Sequence, residues 1–227
     1  MSAEPMLACL KLRKTYRTSG GSVEAISGID LDVPIGRYVA VVGRSGSGKS
    51  SLMAMIGGLS RPDAGTVTID GTDIWSLGDA ALAGFRNQAI GYVFQFASLL
   101  PTLRALDNVA LPALLRRRPD TTAVRERAAR LLNSVGLGRH LDAYPTEMSA
   151  GEQRRTAVAR ALINAPRLLL ADEPTSDLDE QSEREIMAQL LRANREGGVT
   201  LVLVTHALAL AAEADQVVQI ADGTIVP

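Results

Sequence analysis

The octapeptide Gly43-Arg44-Ser45-Gly46-Ser47-Gly48-Lys49-Ser50 constrains this chain more than any other segment. It fits G-x-x-x-x-G-K-[ST], in which glycines let consecutive backbone N–H groups curl round phosphate oxygens where a Cβ would clash. The apolar run at 39–42 precedes it, and residues 51–59 read as a helix. A buried strand, a glycine loop and a helix N-terminus in that order make an anion-binding unit of a parallel α/β sheet. In such a loop Lys49 reaches the β- and γ-phosphates as a compact point charge, and the Ser50 hydroxyl is a ligand for Mg²⁺. Lysine is otherwise confined to Lys11 and Lys14, so its use here is selective.

A second element belongs with the loop. Leu168-Leu169-Leu170-Ala171 is an apolar strand ending in Asp172-Glu173. A parallel strand delivers its last residues to the sheet edge where the phosphate loop lies. There Asp172 would hold Mg²⁺ through water, and Glu173 would position or deprotonate a water facing the γ-phosphate.

Lys49 and Asp172 are 123 residues apart, far more than one strand–helix unit needs. From about residue 103 to 160 the pattern is helical. Val124, Ala128, Leu131, Leu132 and Val135 share one face, and Gly136 is a stop. Residues 29–33 alternate apolar and acidic, the mark of a half-exposed antiparallel strand, and 66–69 read the same way. A helix over about 180–196 separates the 168–171 strand from another at 201–204. Val217-Val218 before Asp222-Gly223 closes the chain. This is an α/β sheet protein with an inserted helical lobe.

Composition narrows the class. The 227 residues predict between one and two domains. With 24 basic and 25 acidic residues the net charge is −1, which argues against a general nucleic-acid or membrane-surface binder. Cys9 is the single cysteine, so no internal disulfide framework exists and a reducing compartment is expected. The opening MSAEPMLACLKLRK shows no secretory signal. The longest strongly apolar stretch, about 199–212, falls short of the ~20 residues that span a bilayer. A compact, soluble, intracellular chain is expected.

Met148-Ser149-Ala150-Gly151-Glu152-Gln153-Arg154-Arg155 stands before a helix and about twenty residues ahead of Asp172. It resembles the Leu-Ser-Gly-Gly-Gln signature of ATP-binding-cassette (ABC) ATPases. Other motifs of that family stand in its order: Tyr16 ahead of the first strands, Gln95 after a strand, Ser176-Asp177-Leu178-Asp179 as a D-loop, and His206 at a strand end. The resemblance implies a P-loop NTPase (RecA-like) α/β core with an antiparallel β subdomain and an inserted α-helical subdomain. One ABC ATPase domain would cover 1–227, with its nucleotide-binding core at about 1–95 and 165–227 and its helical subdomain at about 96–164.

The implied roles follow residue by residue. Tyr16 would stack on adenine. Gly43, Ser45, Gly46, Ser47, Gly48, Lys49, Ser50 and Ser51 would line the ATP phosphates, and Ser50, Gln95 and Asp172 would serve Mg²⁺. Glu173, His206, Lys49 and Gln95 would form the catalytic set, with His206 touching the γ-phosphate and orienting Glu173. Ser149 and the Gly151 N–H, with Glu152 and Asp179 nearby, would meet the nucleotide of a second copy, so hydrolysis would need a head-to-tail dimer. The chain departs from the family at Ala150 (glycine), Glu152 (glutamine) and Asp177 (alanine).

The segment Phe94 to Val109 is similar to the ATPases of the lipoprotein-release, macrolide-export and cell-division group. That implies a permease partner with few membrane helices, docked near Phe94, Phe96, Leu99 and Leu100, and a place on the cytoplasmic face of the membrane with no nucleic-acid partner. Arg116-Arg117-Arg118 reads as a solvated face. The alternative is a nucleotide-gated scaffold or mechanotransmitter of low ATPase activity acting on an envelope partner.

Overall fold

A computed structural model describes residues 4–18 and 21–226. Residues 1–3, on which the reading of no secretory signal partly rests, lie outside the described residues. The chain begins with two long antiparallel strands, β1 (Leu7–Thr18) and β2 (Gly21–Val33). Along the end of β2 Ile29, Leu31 and Val33 are buried while Asp30 and Asp32 are exposed, the alternation that one buried sheet face imposes. Next come β3 (Tyr38–Val42), buried throughout, and α1 (Lys49–Ile56). The helix ends three residues earlier than the sequence suggests, because Gly57 caps it and Gly58 turns left-handed at φ 67°.

The chain continues through β4 (Ala64–Ile69), β5 (Thr72–Asp73), α2 (Asp79–Ala89) and β6 (Ile90–Val93). The helices α3 (Ala105–Leu114), α4 (Thr121–Ser134) and α5 (Ala150–Leu162) follow. The last part is β7 (Leu168–Asp172), α6 (Glu180–Arg195), β8 (Thr200–Val204), α7 (Leu208–Ala211), β9 (Gln216–Ala221) and β10 (Thr224–Val226). Asp222-Gly223 therefore turns a terminal hairpin rather than closing the chain.

Two sheets result. One is antiparallel, in the order β2-β1-β4-β5; the other runs β10-β9-β3-β8-β7-β6 and is parallel except at β10. The central parallel strands β3, β7 and β8 are buried throughout because both their faces are covered. On β3, Val39 and Val41 enter the core shared with α1 and the antiparallel sheet, while Tyr38, Ala40 and Val42 face the core beneath α6. Strands β7 and β8 divide in the same way.

The inserted helices have an apolar cluster of their own, built from Ala105, Val109, Ala128, Leu132 and Ala159 among others. Helix α5 belongs to both halves, since Ala159 packs in that cluster and Val158 packs against the parallel sheet. Register sets the site: Val41 pairs with Val204, Asp172 with Val204, and Ala171 with Val93. The segments that leave β3, β6, β7 and β8 therefore emerge at one sheet edge.

Candidate active site

The loop after β3 is held in a form that glycine alone takes easily. Gly48 sits at φ 107°, and a Cβ there would lie 2.3 Å from the Ala25 carbonyl oxygen. A Cβ on Gly43 would lie 2.3 Å from the Ile220 carbonyl oxygen. The loop is thus wedged between β2 and β9. The terminal turn holds it too, since the Gly223 N–H donates to the Ser47 carbonyl at 3.1 Å. Nothing in the sequence pointed to Ala25 or Gly223; the Asp-Gly turn was legible as a turn but not as a strut.

Lys49 is buried and donates from Nζ to the carbonyls of Gly43 and Arg44 at 2.8 and 2.9 Å. The ammonium closes its own loop with neutral acceptors. The buried Ser47 hydroxyl has no hydrogen-bond partner among the described residues. A buried hydroxyl of this kind is fitted to meet a polar ligand. A cleft along the loop is lined by Val23, Ser45, Gly46, Gly48, Lys49, Ser50, Ser51, Gln95 and Glu173. An adjoining cleft shares Ser45 and Gly46 and is lined by Gly43, Ser47 and His206. Tyr16 does not line either cleft. It pairs with Val23 across the hairpin, is 38% exposed, and has the Lys14 ammonium 5.6 Å from its ring centre.

The two acids after β7 differ in setting. Asp172 is buried, and its Oδ1 has no hydrogen-bond partner. Burial pushes its carboxyl above the ordinary aspartate range and the Glu173 charge adds to this, while a hydrogen bond from the Ser50 hydroxyl and the Lys49 charge pull the other way. Ser50 and Asp172 both offer hard oxygen donors. Mg²⁺ is held by few protein oxygens and keeps several waters, so this pair fits it, although no cluster of three or more acidic, histidine or cysteine ligands occurs among the described residues.

Glu173 takes a left-handed φ of 45°, a conformation that costs energy in a non-glycine residue. Its N–H donates to the Val204 carbonyl at 2.9 Å, and its Oε2 accepts from the Ser176 hydroxyl at 3.1 Å. His206 Nδ1 stands 3.7 Å from the same oxygen, on a side chain 69% exposed. The Ser176 hydroxyl therefore orients the carboxylate, and the imidazole lies close by, beyond hydrogen-bond distance. Ser176 was part of a recognised motif, but a hydroxyl holding an acid three residues earlier has no sequence signal of its own.

The loop before α5 lies elsewhere. Ser149 caps the helix, accepting from the Glu152 N–H at 3.3 Å, while the Ser149 N–H donates to Glu152 Oε2 at 2.8 Å. This reciprocal pair is a capping box. The Ser149 N–H bond is the chief reason the Glu152 carboxyl titrates below its usual range, and His140, with Nε2 3.5 Å away, lowers it further. Glu152 is thus turned back onto its own helix. Ala150 is the first helical residue and has no positive φ, so its methyl needs no glycine there.

Gly151 is buried, and a Cβ on it would lie 2.6 Å from the Ser182 Oγ. Ser182 in turn donates from N and Oγ to Asp179, at 2.9 and 2.8 Å, the cap of α6. The backbone bond from Ser182 is the first cause of the lowered Asp179 pKa. None of Ser149, Gly151, Glu152 and Asp179 lines the clefts along the phosphate loop. The residues read together from the sequence thus fall into two groups, one along the phosphate loop and the ends of β7 and β8, the other at the N-termini of α5 and α6.

A family model described as "ABC transporter" matches residues 26–176. The chain is 46% identical over 223 residues to the lipoprotein-releasing system ATP-binding protein LolD of Geobacter metallireducens, covering 97% of this chain and 98% of that protein. It is 47% identical over 224 residues to the macrolide export ATP-binding/permease protein MacB of Rhodopirellula baltica, covering 97% of this chain but 32% of that longer protein. The dimeric post-hydrolysis structure of the ATP-binding cassette MJ0796, bound to ADP and phosphate, superposes with a TM-score of 0.91 at 36% identity, covering 98% of this chain and 97% of that one.

Proposed function

The chain belongs to the ABC transporter family of ATP-binding cassettes, and from that premise we propose that two copies hydrolyse ATP to drive a membrane permease of the lipoprotein-release or macrolide-export type. The observation that carries this reading is the separation of the two anion-ready helix N-termini. The phosphate loop shares a sheet edge with Asp172, Glu173 and His206, while the Ser149–Gly151 loop lies outside the phosphate clefts of its own chain. A second copy turned head to tail would supply the missing half.

In this reading Gly43, Ser45, Gly46, Ser47, Gly48 and Ser51 wrap the phosphates, and Tyr16 stacks on the base. Lys49 moves from the carbonyls of Gly43 and Arg44 to the β- and γ-phosphates. Ser50, Asp172 and Gln95 would hold Mg²⁺, which when bound would supply charge neutralisation on the phosphate oxygens. Glu173 accepts a proton as water attacks the γ-phosphorus; the new P–O bond forms as the bond to ADP breaks. His206 and Ser176 keep Glu173 aimed, and the partner's Ser149 and Gly151 N–H stabilise the transferred group.

The core at about 1–95 and 165–227 then carries the nucleotide, and the lobe at about 96–164 carries the in-trans contact. No helix among the described residues is long and apolar enough to cross a membrane. In this reading the chain works at the cytoplasmic face, against a permease with few membrane helices. Phe96 and Leu100, 69% and 45% exposed, offer that partner an apolar surface beside Gln95. The departures at Ala150 and Glu152 are absorbed locally, so nothing at the signature loop favours a scaffold that binds ATP without turnover. Single-turnover ATP hydrolysis by the chain with and without the copurified permease tests the reading. Hydrolysis that the permease accelerates is expected; binding without turnover in both preparations would overturn it.

A further inference from the structure

Arg154 lies on α5 one turn after the signature loop and is only 6% exposed. Its Nη1 donates to the Phe94 carbonyl at 3.0 Å, and its guanidinium carbon stands 6.0 Å from the Phe96 ring centre. Phe94 and Phe96 are the two neighbours of Gln95. Further along α5, Arg160 donates to the carbonyls of Ala97 and Ser98 at 2.8 and 2.7 Å. Segment 94–98 lies in neither helix nor strand, so these two side chains are the main bonds that fix it to the signature helix.

The arrangement is an expensive one for packing alone. A guanidinium taken out of water against a carbonyl and a ring, with no ion pair, costs more than an apolar side chain of similar size. Burial accordingly lowers the Arg154 pKa, and the opposing influence is the charge of Asp177. Asp177 is the exposed D-loop acid that stands where the family usually has alanine, held at a left-handed φ of 62°.

We infer that Arg154 is a positioning residue that ties Gln95 to the signature helix, so that engagement of Ser149–Gly151 with the second nucleotide and placement of Gln95 at the first occur as one movement. This rests on the role proposed above for Gln95. Arg154 touches no nucleotide. It acts through its hydrogen bond to the Phe94 carbonyl, which fixes the backbone next to Gln95, with the Phe96 ring close by on the other side.

The test is a double-mutant cycle in the full-length chain with Mg-ATP. Arg154→Met should lower kcat by about tenfold while leaving the Kd for ATP within twofold and KM nearly unchanged. In a Gln95→Ala background the same substitution should lower kcat no further, because the residue through which it acts is gone. Arg154→Lys, which keeps a donor and the charge, should recover part of the loss. It also serves as the folded control if Arg154→Met proves insoluble, with the cycle then run on Arg154→Lys. Equal losses in both backgrounds, or loss of ATP affinity together with kcat, would make Arg154 a structural residue and overturn the inference. A Gln95→Ala chain with unchanged kcat would instead remove the Gln95 assignment on which the inference stands.

Discussion

The phosphate loop and the signature loop each present backbone N–H groups at a helix N-terminus, yet they are finished differently. At the phosphate loop the polar atoms are left open. Ser47 Oγ and Asp172 Oδ1 lack partners, and Lys49 is tied to its own loop's carbonyls. At the signature loop the side chains close on themselves, with Ser149 and Glu152 capping each other and Gly151 packed on Ser182. In the proposed reading the first region takes the nucleotide of its own chain, and the second is a finished helix start that serves the nucleotide of another copy. A half-site that is complete as a fold need not change shape to be used, which suits a loop that engages and releases in every cycle.

Substitutions can break or sharpen that contrast. The largest effect is expected from Glu173→Gln, which keeps the shape and removes the base. Turnover should fall by about 10²–10⁴-fold while ATP still binds, as measured by single-turnover hydrolysis beside equilibrium binding. Lys49→Ala removes the charge that meets the phosphates. A loss of about 2–5 kcal/mol, roughly thirtyfold or more in ATP affinity, is expected by titration with labelled nucleotide.

Asp172→Asn separates binding from stability. A carboxylate whose pKa is raised by burial costs the folded state energy wherever it is ionised. The nucleotide-free variant should therefore be more stable than wild type at neutral pH, by about 0.5–2 kcal/mol, although Mg-dependent turnover is lost. The sign follows from linkage. The gain should be full above the raised folded-state pKa and should fade as pH drops toward the ordinary aspartate value, where both states bind the proton; thermal melts across pH read this directly. The smallest effect belongs to the signature loop. Glutamine completes a capping box as glutamate does, so Glu152→Gln should shift stability by less than about 0.5 kcal/mol and leave turnover within twofold.

Much of this was legible in the sequence, for physical reasons that differ by residue. The run at 39–42, the loop through Ser50, and Asp172-Glu173 carry local chemistry in fixed spacing, and the sheet register brings them together as expected. Ser149 was readable as a cap for the same reason. What escaped depends on distance along the chain. Arg154 reaches Phe94 across 60 residues, and Ala25 presses on Gly48 from a neighbouring strand. No periodicity or spacing encodes such contacts. Phe96 was grouped with Phe94 as groove-forming, but Phe94 stacks on Tyr92 with ring centres 4.1 Å apart whereas Phe96 is largely exposed. Gly151 belongs with these, packed on a residue 31 positions away. A side chain there would strike Ser182 within its own chain, so its substitution perturbs the monomer before it reaches a partner.

Ala150 gives the cleaner measurement of whether the site is shared between two chains. It is exposed, helical and free of that clash, and an acid at the first helical position suits the helix N-terminus. In the Glu173→Gln background, sedimentation with Mg-ATP should show a dimer. With Ala150→Asp added, the same experiment should show a monomer that binds ATP with unchanged affinity and melts at an unchanged temperature. A dimer that survives Ala150→Asp, or ATP binding lost along with it, would contradict a site composed from two chains.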